Sequence, residues 1–134
     1  MLLEENKAVV RRFYEAANKH DVDLVAEFVA PDYVDYTNKI EGVEGVKQFG
    51  NMLIKGFPDI HWTIEDIVAE EDKVWVRTTI TGTHRGEYRG VPPTGKDITI
   101  RCVDILRIVD GKIVEAWAVD DLLDFYKKLG VKIS

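Results

Sequence analysis

Residues 98–130 read ITIRCVDILRIVDGKIVEAWAVDDLLDFYKKLG. Two alternating runs, ITIRCVDILRIV and KIVEAWAV, flank Asp110-Gly111. A period of two marks half-buried strands, and Asp-Gly suits the positive φ angles of a two-residue hairpin turn. Past the second run the spacing of Leu122, Phe125, Tyr126 and Leu129 is that of a helix. The segment therefore predicts strand, tight turn, strand, helix. If Val109 faces Lys112 across the turn, Asp104 sits beside Trp117, Leu106 beside Glu115 and Cys102 beside Val119, because cross-strand partners share a face. On that register Asp121 joins the face of Asp104 and Trp117, and Asp120 falls opposite Arg101 on the other. A one-residue bulge exchanges the two aspartates.

Working backwards, IHWTIEDIVAE and KVWVRTTITGTH alternate about the short link EDK and predict a second hairpin, while RGEYRGVPPTGKD has the Gly and Pro density of a loop. The N-terminal half is helical in pattern. Val9, Val10, Phe13, Tyr14 and Ala17 recur at helical spacing over residues 3–19. Asp21 suits the N-cap of a short second helix that ends at APD, residues 30–32. YVDYTNK reads as a short strand and turn, and a third helix spans about residues 43–56, stopping at GFPD. Helices first and a long antiparallel sheet afterwards predict an α+β fold, one domain over residues 1–134, with helices packed on one face of a curved sheet.

With 134 residues, 46% hydrophobic and 31% charged, the chain suits a compact soluble domain with a core of its own. Its formal net charge of −6 argues against nucleic acid, whose phosphates need a basic surface. No run approaches the length of a membrane span, and the opening MLLEENKAVV lacks the basic start of a signal peptide. The single cysteine, Cys102, permits no internal disulfide and reads as a buried thiol in a strand. A cytoplasmic protein is expected. The three histidines show no ligand spacing, so no metal site is expected, and no phosphate loop or Ser-nucleophile elbow occurs.

Several phrases resemble the SnoaL-like polyketide cyclase family: VVRRFYEAANKHDVD, FVAPDYVDYT, ITGTHRGEYRGVPPTGK, VDILRIVDGKIVEAW and the ending W-x-x-x-D-x-L. The likeness runs over roughly residues 5–130. It implies the cone-shaped α+β fold shared with ketosteroid isomerase and nuclear transport factor, with three N-terminal helices and a curved, mostly antiparallel sheet enclosing a pocket. It also implies a homodimer and an intramolecular aldol closure without metal or organic cofactor. The family's aspartate base, counted from Trp117, falls on Asp121. Relatives with other chemistry match less well. The tyrosine and base of ketosteroid isomerase fall on Phe13 and Thr37, leaving only its second acid, at Asp104. The Arg-x-Asp pair of limonene epoxide hydrolase reads Arg77-Thr78-Thr79.

A carbon-acid base needs a carboxylate less acidic than free aspartate, whose pKa is about 3.9. Burial beside Trp117 and near Asp104 would provide that, and two acids can divide into an ionised base and a protonated donor. Asp121 and Asp104 are thus candidate catalytic residues, with His84 as a third group able to donate a proton. Against this, Asp121 also suits the first helical turn, Asp104 an arginine, and His84 a strand end at the surface. Trp117, Tyr14, Tyr36, Phe49, Phe57 and Trp62 are the candidate pocket aromatics for a small apolar or aromatic carbonyl ligand. Trp75, Arg77, Arg101 and Arg107 mark the sheet face expected to carry the dimer contact. A non-catalytic binder of small molecules with the same fold remains the alternative.

Overall fold

The computed structural model describes residues 2–131. In chain order the elements are α1 (Leu2–Asn18), α2 (Val22–Ala26), β1 (Val29–Asp35), β2 (Ile40–Glu41), α3 (Gly42–Gly56), β3 (His61–Glu70), β4 (Lys73–Thr83), β5 (Asp97–Val109), β6 (Lys112–Asp120) and α4 (Leu122–Lys128). The strands form one open sheet in the order β2-β1-β6-β5-β4-β3. Among the described residues only the β1–β6 pairing is parallel. This is the expected α+β arrangement, with α1 and α3 covering one sheet face and α4 closing its end.

Local chemistry accounts for most boundaries. The Asp21 carboxylate accepts the Leu24 N–H and caps α2. Asp110 and Gly111 both have positive φ, 50° and 76°, as a primed two-residue turn requires. β1 begins earlier than its sequence suggests and contains Pro31. Proline cannot donate to a ladder, and the β1–β6 pairing is accordingly irregular between Val29 and Val34.

Strand alternation sorts side chains cleanly. Val74, Val76, Thr78, Ile98, Ile100, Cys102, Leu106 and Ile108 are buried on the helix side. Val10 and Tyr14 of α1 join that core. The opposite face carries Trp75, Arg77, Ile105, Arg107 and Trp117, the paired or flanking positions one step out of phase.

One feature departs from the turn-based register. Ile108 pairs with Ile113, but Arg107 pairs with Glu115, so Val114 is an extra residue on β6. From there on every partner shifts by one. Asp104 lies across from Ala118, Ile105 from Trp117, and Cys102 from Asp120. The expected neighbours of Asp104 and Cys102, Trp117 and Val119, are instead on the far side of the sheet.

Candidate functional site

A cavity of about 200 Å³ lies between the helices and the inner sheet face. Tyr14 of α1, Phe49 of α3, Phe57 and Trp62 line it, four of the six aromatics expected there. Tyr36 and Trp117 do not. They stack on each other at 5.3 Å and 24° outside the cavity, and the Tyr36 hydroxyl donates to Glu115 at 2.6 Å. The bulge at Val114 is what turned Trp117 outward.

Four aspartates reach the cavity wall: Asp21, which caps α2, and Asp35, Asp104 and Asp120. Asp104 accepts the Tyr14 hydroxyl on Oδ2 and the Cys102 thiol, at 3.4 Å, on Oδ1. Burial raises its pKa above the usual carboxylate range, against these two hydrogen bonds, and the charges of Asp35 and Asp120 add to the rise. Burial also raises the Tyr14 hydroxyl well above its ordinary value, reinforced by the Asp104 charge beside it. Cys102 is raised for the same reasons and stays a thiol. The hydroxyl on α1 therefore comes from Tyr14, one residue beyond the Phe13 position to which alignment on the helix pointed.

Asp120 sits where β6 ends. Burial lifts its pKa, the Leu122 amide opposes that lift, and the neighbouring Asp121 charge adds to it. Asp35 is held differently: its Oδ1 accepts the backbone N–H groups of Thr37 and Asn38, at 3.0 and 2.9 Å, and its Oδ2 accepts the Asn38 amide at 3.0 Å. Three donors fix this carboxylate in place.

Asp121 faces away from the cavity, contrary to the turn-based expectation. Its Oδ1 accepts the Arg101 backbone N–H at 2.8 Å and its Oδ2 pairs with the Arg101 guanidinium at 3.2 Å. It occupies the N-cap position of α4 but makes no side-chain cap bond. The roles expected of the two aspartates are exchanged, Asp121 taking the arginine and Asp120 the interior.

His84 is not a surface residue either, being 0% exposed. Its ring packs on Phe57 at 5.3 Å, behind the cavity wall rather than in it. The Thr94 N–H donates to Nδ1 at 3.3 Å, which leaves the proton on Nε2, and that buried atom has no partner among the described residues. The ring pins the loop 84–96, whose other anchors are the Arg85 and Gly86 N–H groups on the Gly56 carbonyl, both at 3.1 Å. Gly86 is needed there because a Cβ would run into the Lys55 carbonyl oxygen.

Asp35 and Arg89, both on the wall, were not singled out from sequence. Asp35 was readable, since Tyr33 and Asp35 alternate inward on β1. Arg89 was not, because only the loop's fold carries it to the mouth. Among the described residues no group of three or more His, Cys, Asp or Glu is placed to hold a metal ion, and no helix is long and apolar enough to cross a membrane.

The chain matches a family model described as SnoaL-like polyketide cyclase over residues 7–129. It is 33% identical over 129 residues to the aklanonic acid methyl ester cyclase DauD of Streptomyces sp. (strain C5), covering 91% of this chain and 80% of that protein. The nogalonic acid methyl ester cyclase of Streptomyces nogalater is 29% identical over 120 residues, covering 86% of this chain and 90% of that one. Among solved structures, AclR of Streptomyces galilaeus superposes with a TM-score of 0.87 at 34% identity, over 98% of this chain and 89% of that one.

Proposed function

The chain belongs to the SnoaL-like polyketide cyclase family, and from that premise we propose that it closes a ring in a small, largely apolar carbonyl compound by intramolecular aldol addition. Homology to polyketide cyclases supports a cyclase or isomerase role. The observation that carries the finer reading is that Asp120 and the Tyr14–Asp104 pair line one apolar cavity. The base assigned from family spacing to Asp121 moves one residue, to Asp120.

In this reading Asp120, its pKa raised by burial, takes a proton from a carbon acidified by neighbouring carbonyls. The resulting enolate carbon attacks a second carbonyl carbon, forming the ring C–C bond as that C=O π bond opens to an alkoxide. Tyr14, whose hydroxyl donates to Asp104 at rest, turns its proton to the alkoxide and takes one in return from Asp104, which burial favours in its acid form. Water then takes the proton from Asp120 and resupplies Asp104. The product is an isomer of the substrate, and the carboxyl groups, the Tyr14 hydroxyl and water conduct every proton transfer, so the scheme calls on no cofactor. A preorganised donor at the developing oxyanion is usually the larger catalytic term.

Incubation with aklanonic acid methyl ester and nogalonic acid methyl ester, followed by chromatography, tests this. Conversion that falls about 10²–10⁴-fold in Asp120→Asn supports the scheme. Tight binding of either ester with no conversion would instead make the protein a non-catalytic binder.

We also propose a homodimer through the outer faces of β3–β6. Trp75 is 48% exposed and Val119 69% exposed on that face, beside exposed Val68. Large apolar groups clustered on a sheet whose other face already has its core fit an interface better than solvent.

A further inference from the structure

The buried phenol of Tyr88 takes no part in the aldol scheme. Tyr88 lies in the loop after β4, lines the apolar cavity and is 5% exposed. Its ring packs edge-on against Phe57 and Phe125, with centroids 5.3 and 5.8 Å away, and the Arg89 guanidinium lies 5.5 Å from its centre. Its backbone exchanges two hydrogen bonds with Val91, at 3.0 and 2.9 Å. Gly56 makes room for it, since a Cβ there would meet the Tyr88 side chain at 3.0 Å. The ring is therefore fixed in place. Among the described residues its hydroxyl has no hydrogen-bond partner, yet it is not sealed off as the unpartnered Thr78 Oγ1 and His84 Nε2 are. A buried donor that opens on a cavity is matched when an acceptor enters that cavity.

Most other polar groups of the wall are engaged. Tyr14 and Cys102 serve Asp104, and Asp35 holds the Thr37 and Asn38 amides. Asp21 caps α2, and His20 Nε2 donates to the Ile60 carbonyl at 2.7 Å. The Tyr33 hydroxyl also lacks a partner among the described residues, but its charged neighbours are Asp35 and Asp104. Those of Tyr88 are Arg89 and Asp120, together with the Tyr126 phenol, which accepts from Arg89 Nη1 at 3.1 Å. Glu87, next in the chain, pairs with Lys55 at 3.6 Å. The two free phenols thus stand at different ends of the cavity, and Tyr88 is at the end of the base. Burial raises its pKa, against the Arg89 charge, so it keeps its proton in the neutral range.

Taking a proton from a carbon puts charge on the neighbouring carbonyl oxygen, and in the aldol scheme that first oxygen has no donor. We propose that Tyr88 is a further catalytic residue, its hydroxyl donating to the carbonyl oxygen beside the carbon that Asp120 deprotonates. This rests on the cyclase reading and adds a donor for its first step. The proton goes to Asp120, the C–H pair becomes a C=C bond, and the C=O π pair moves onto oxygen. There the Tyr88 O–H holds it by a hydrogen bond, with the Arg89 charge nearby. When the enolate carbon attacks the second carbonyl, the pair returns and the first C=O re-forms, so Tyr88 neither gains nor loses a proton. A ketone or an ester carbonyl suits this place, since neither brings an anion to a wall with four aspartates.

Deuterium exchange at the benzylic position of 2-tetralone, followed by proton NMR in heavy water on the full chain, tests the assignment. This ketone has an acidified C–H and no second carbonyl in the molecule, so it isolates the first step from ring closure. The parent should speed exchange above the buffer rate. Tyr88→Phe should lower the protein-catalysed rate about 10²–10³-fold, the scale of losing one preorganised oxyanion donor. Its melting temperature should stay that of the parent, because the hydroxyl gives up no bond to the described residues. Tyr33→Phe should leave the exchange rate unchanged. Exchange that needs Asp120 but not Tyr88 would overturn the assignment and leave the cyclase reading standing. Exchange that needs Tyr88, in a chain that closes no ring in the methyl esters, would uphold the assignment while the cyclase reading falls. No exchange above the buffer rate, equal losses in Tyr33→Phe and Tyr88→Phe, or a lower melting temperature in Tyr88→Phe would each overturn it.

Discussion

Asp120 is the cross-strand partner of Cys102, two residues along β5 from Asp104. That places all three polar groups on the cavity side of the sheet, while Asp121 bonds Arg101 on the other side. Two adjacent aspartates thus have opposite surroundings, and substitutions should separate them. Asp121→Asn should leave turnover within about twofold of the parent. It should cost roughly 0–1 kcal/mol, because the Arg101 side chain is largely exposed and such pairs are screened. Asp120→Asn should do the reverse, removing turnover with little change in melting temperature. Parallel assays and thermal melts read both, and lost turnover in Asp121→Asn would refute the assignment.

Asp104 should make the protein less stable as pH rises. Its folded-state pKa lies above the unfolded value because burial penalises the anion. Its contribution is therefore fully present below the unfolded pKa of about 3.9 and is lost as pH climbs through the raised folded value. Asp104→Asn keeps an acceptor for Tyr14 and escapes that loss. Compared with the parent, it should gain about 1–3 kcal/mol at pH 8 and show no gain near pH 3. Melts at the two pH values measure the crossover; a gain independent of pH would contradict it.

His84 should prove structural. Its ring fills space against Phe57 and fastens Thr94. His84→Ala should cost about 2–4 kcal/mol, the scale of a large buried truncation. Turnover per folded molecule should fall far less than in Asp120→Asn. Activity normalised to the folded fraction decides this, and a pH–rate profile unchanged by His84→Gln supports it.

The outer sheet face should hold two copies together. Sedimentation at micromolar concentration should give a dimer. Trp75→Glu should give a folded monomer, since it places a charge in the centre of an apolar contact where charged residues are depleted. A parent protein that sediments as a monomer would remove the dimer.

The element order was legible in the sequence because it depends on local chemistry. Helical spacing in residues 3–19, the Asp21 cap, and alternation about Asp110-Gly111 each act within a few residues, and each is realised. Some of the cavity lining was legible too, in Asp104, Tyr14, Phe49, Phe57 and Trp62. The facing of Asp120 and Asp121 was not, because contacts far apart in the chain set it. Ile113 gives its N–H to the Phe28 carbonyl at 2.8 Å, and Ile108 gives its own to the Asp72 carbonyl at 2.8 Å. Arg107 meanwhile reaches Asp72 and Glu115 at 2.8 and 2.9 Å on the outer face. Serving these partners together takes one extra residue on β6, and a sheet's period of two converts one residue into a reversed face for Trp117, Asp120 and Asp121. His84 and Arg89 were likewise undetermined by their own segment. The docking of loop 84–96 onto Gly56 and Phe57 buries one and brings the other to the cavity mouth.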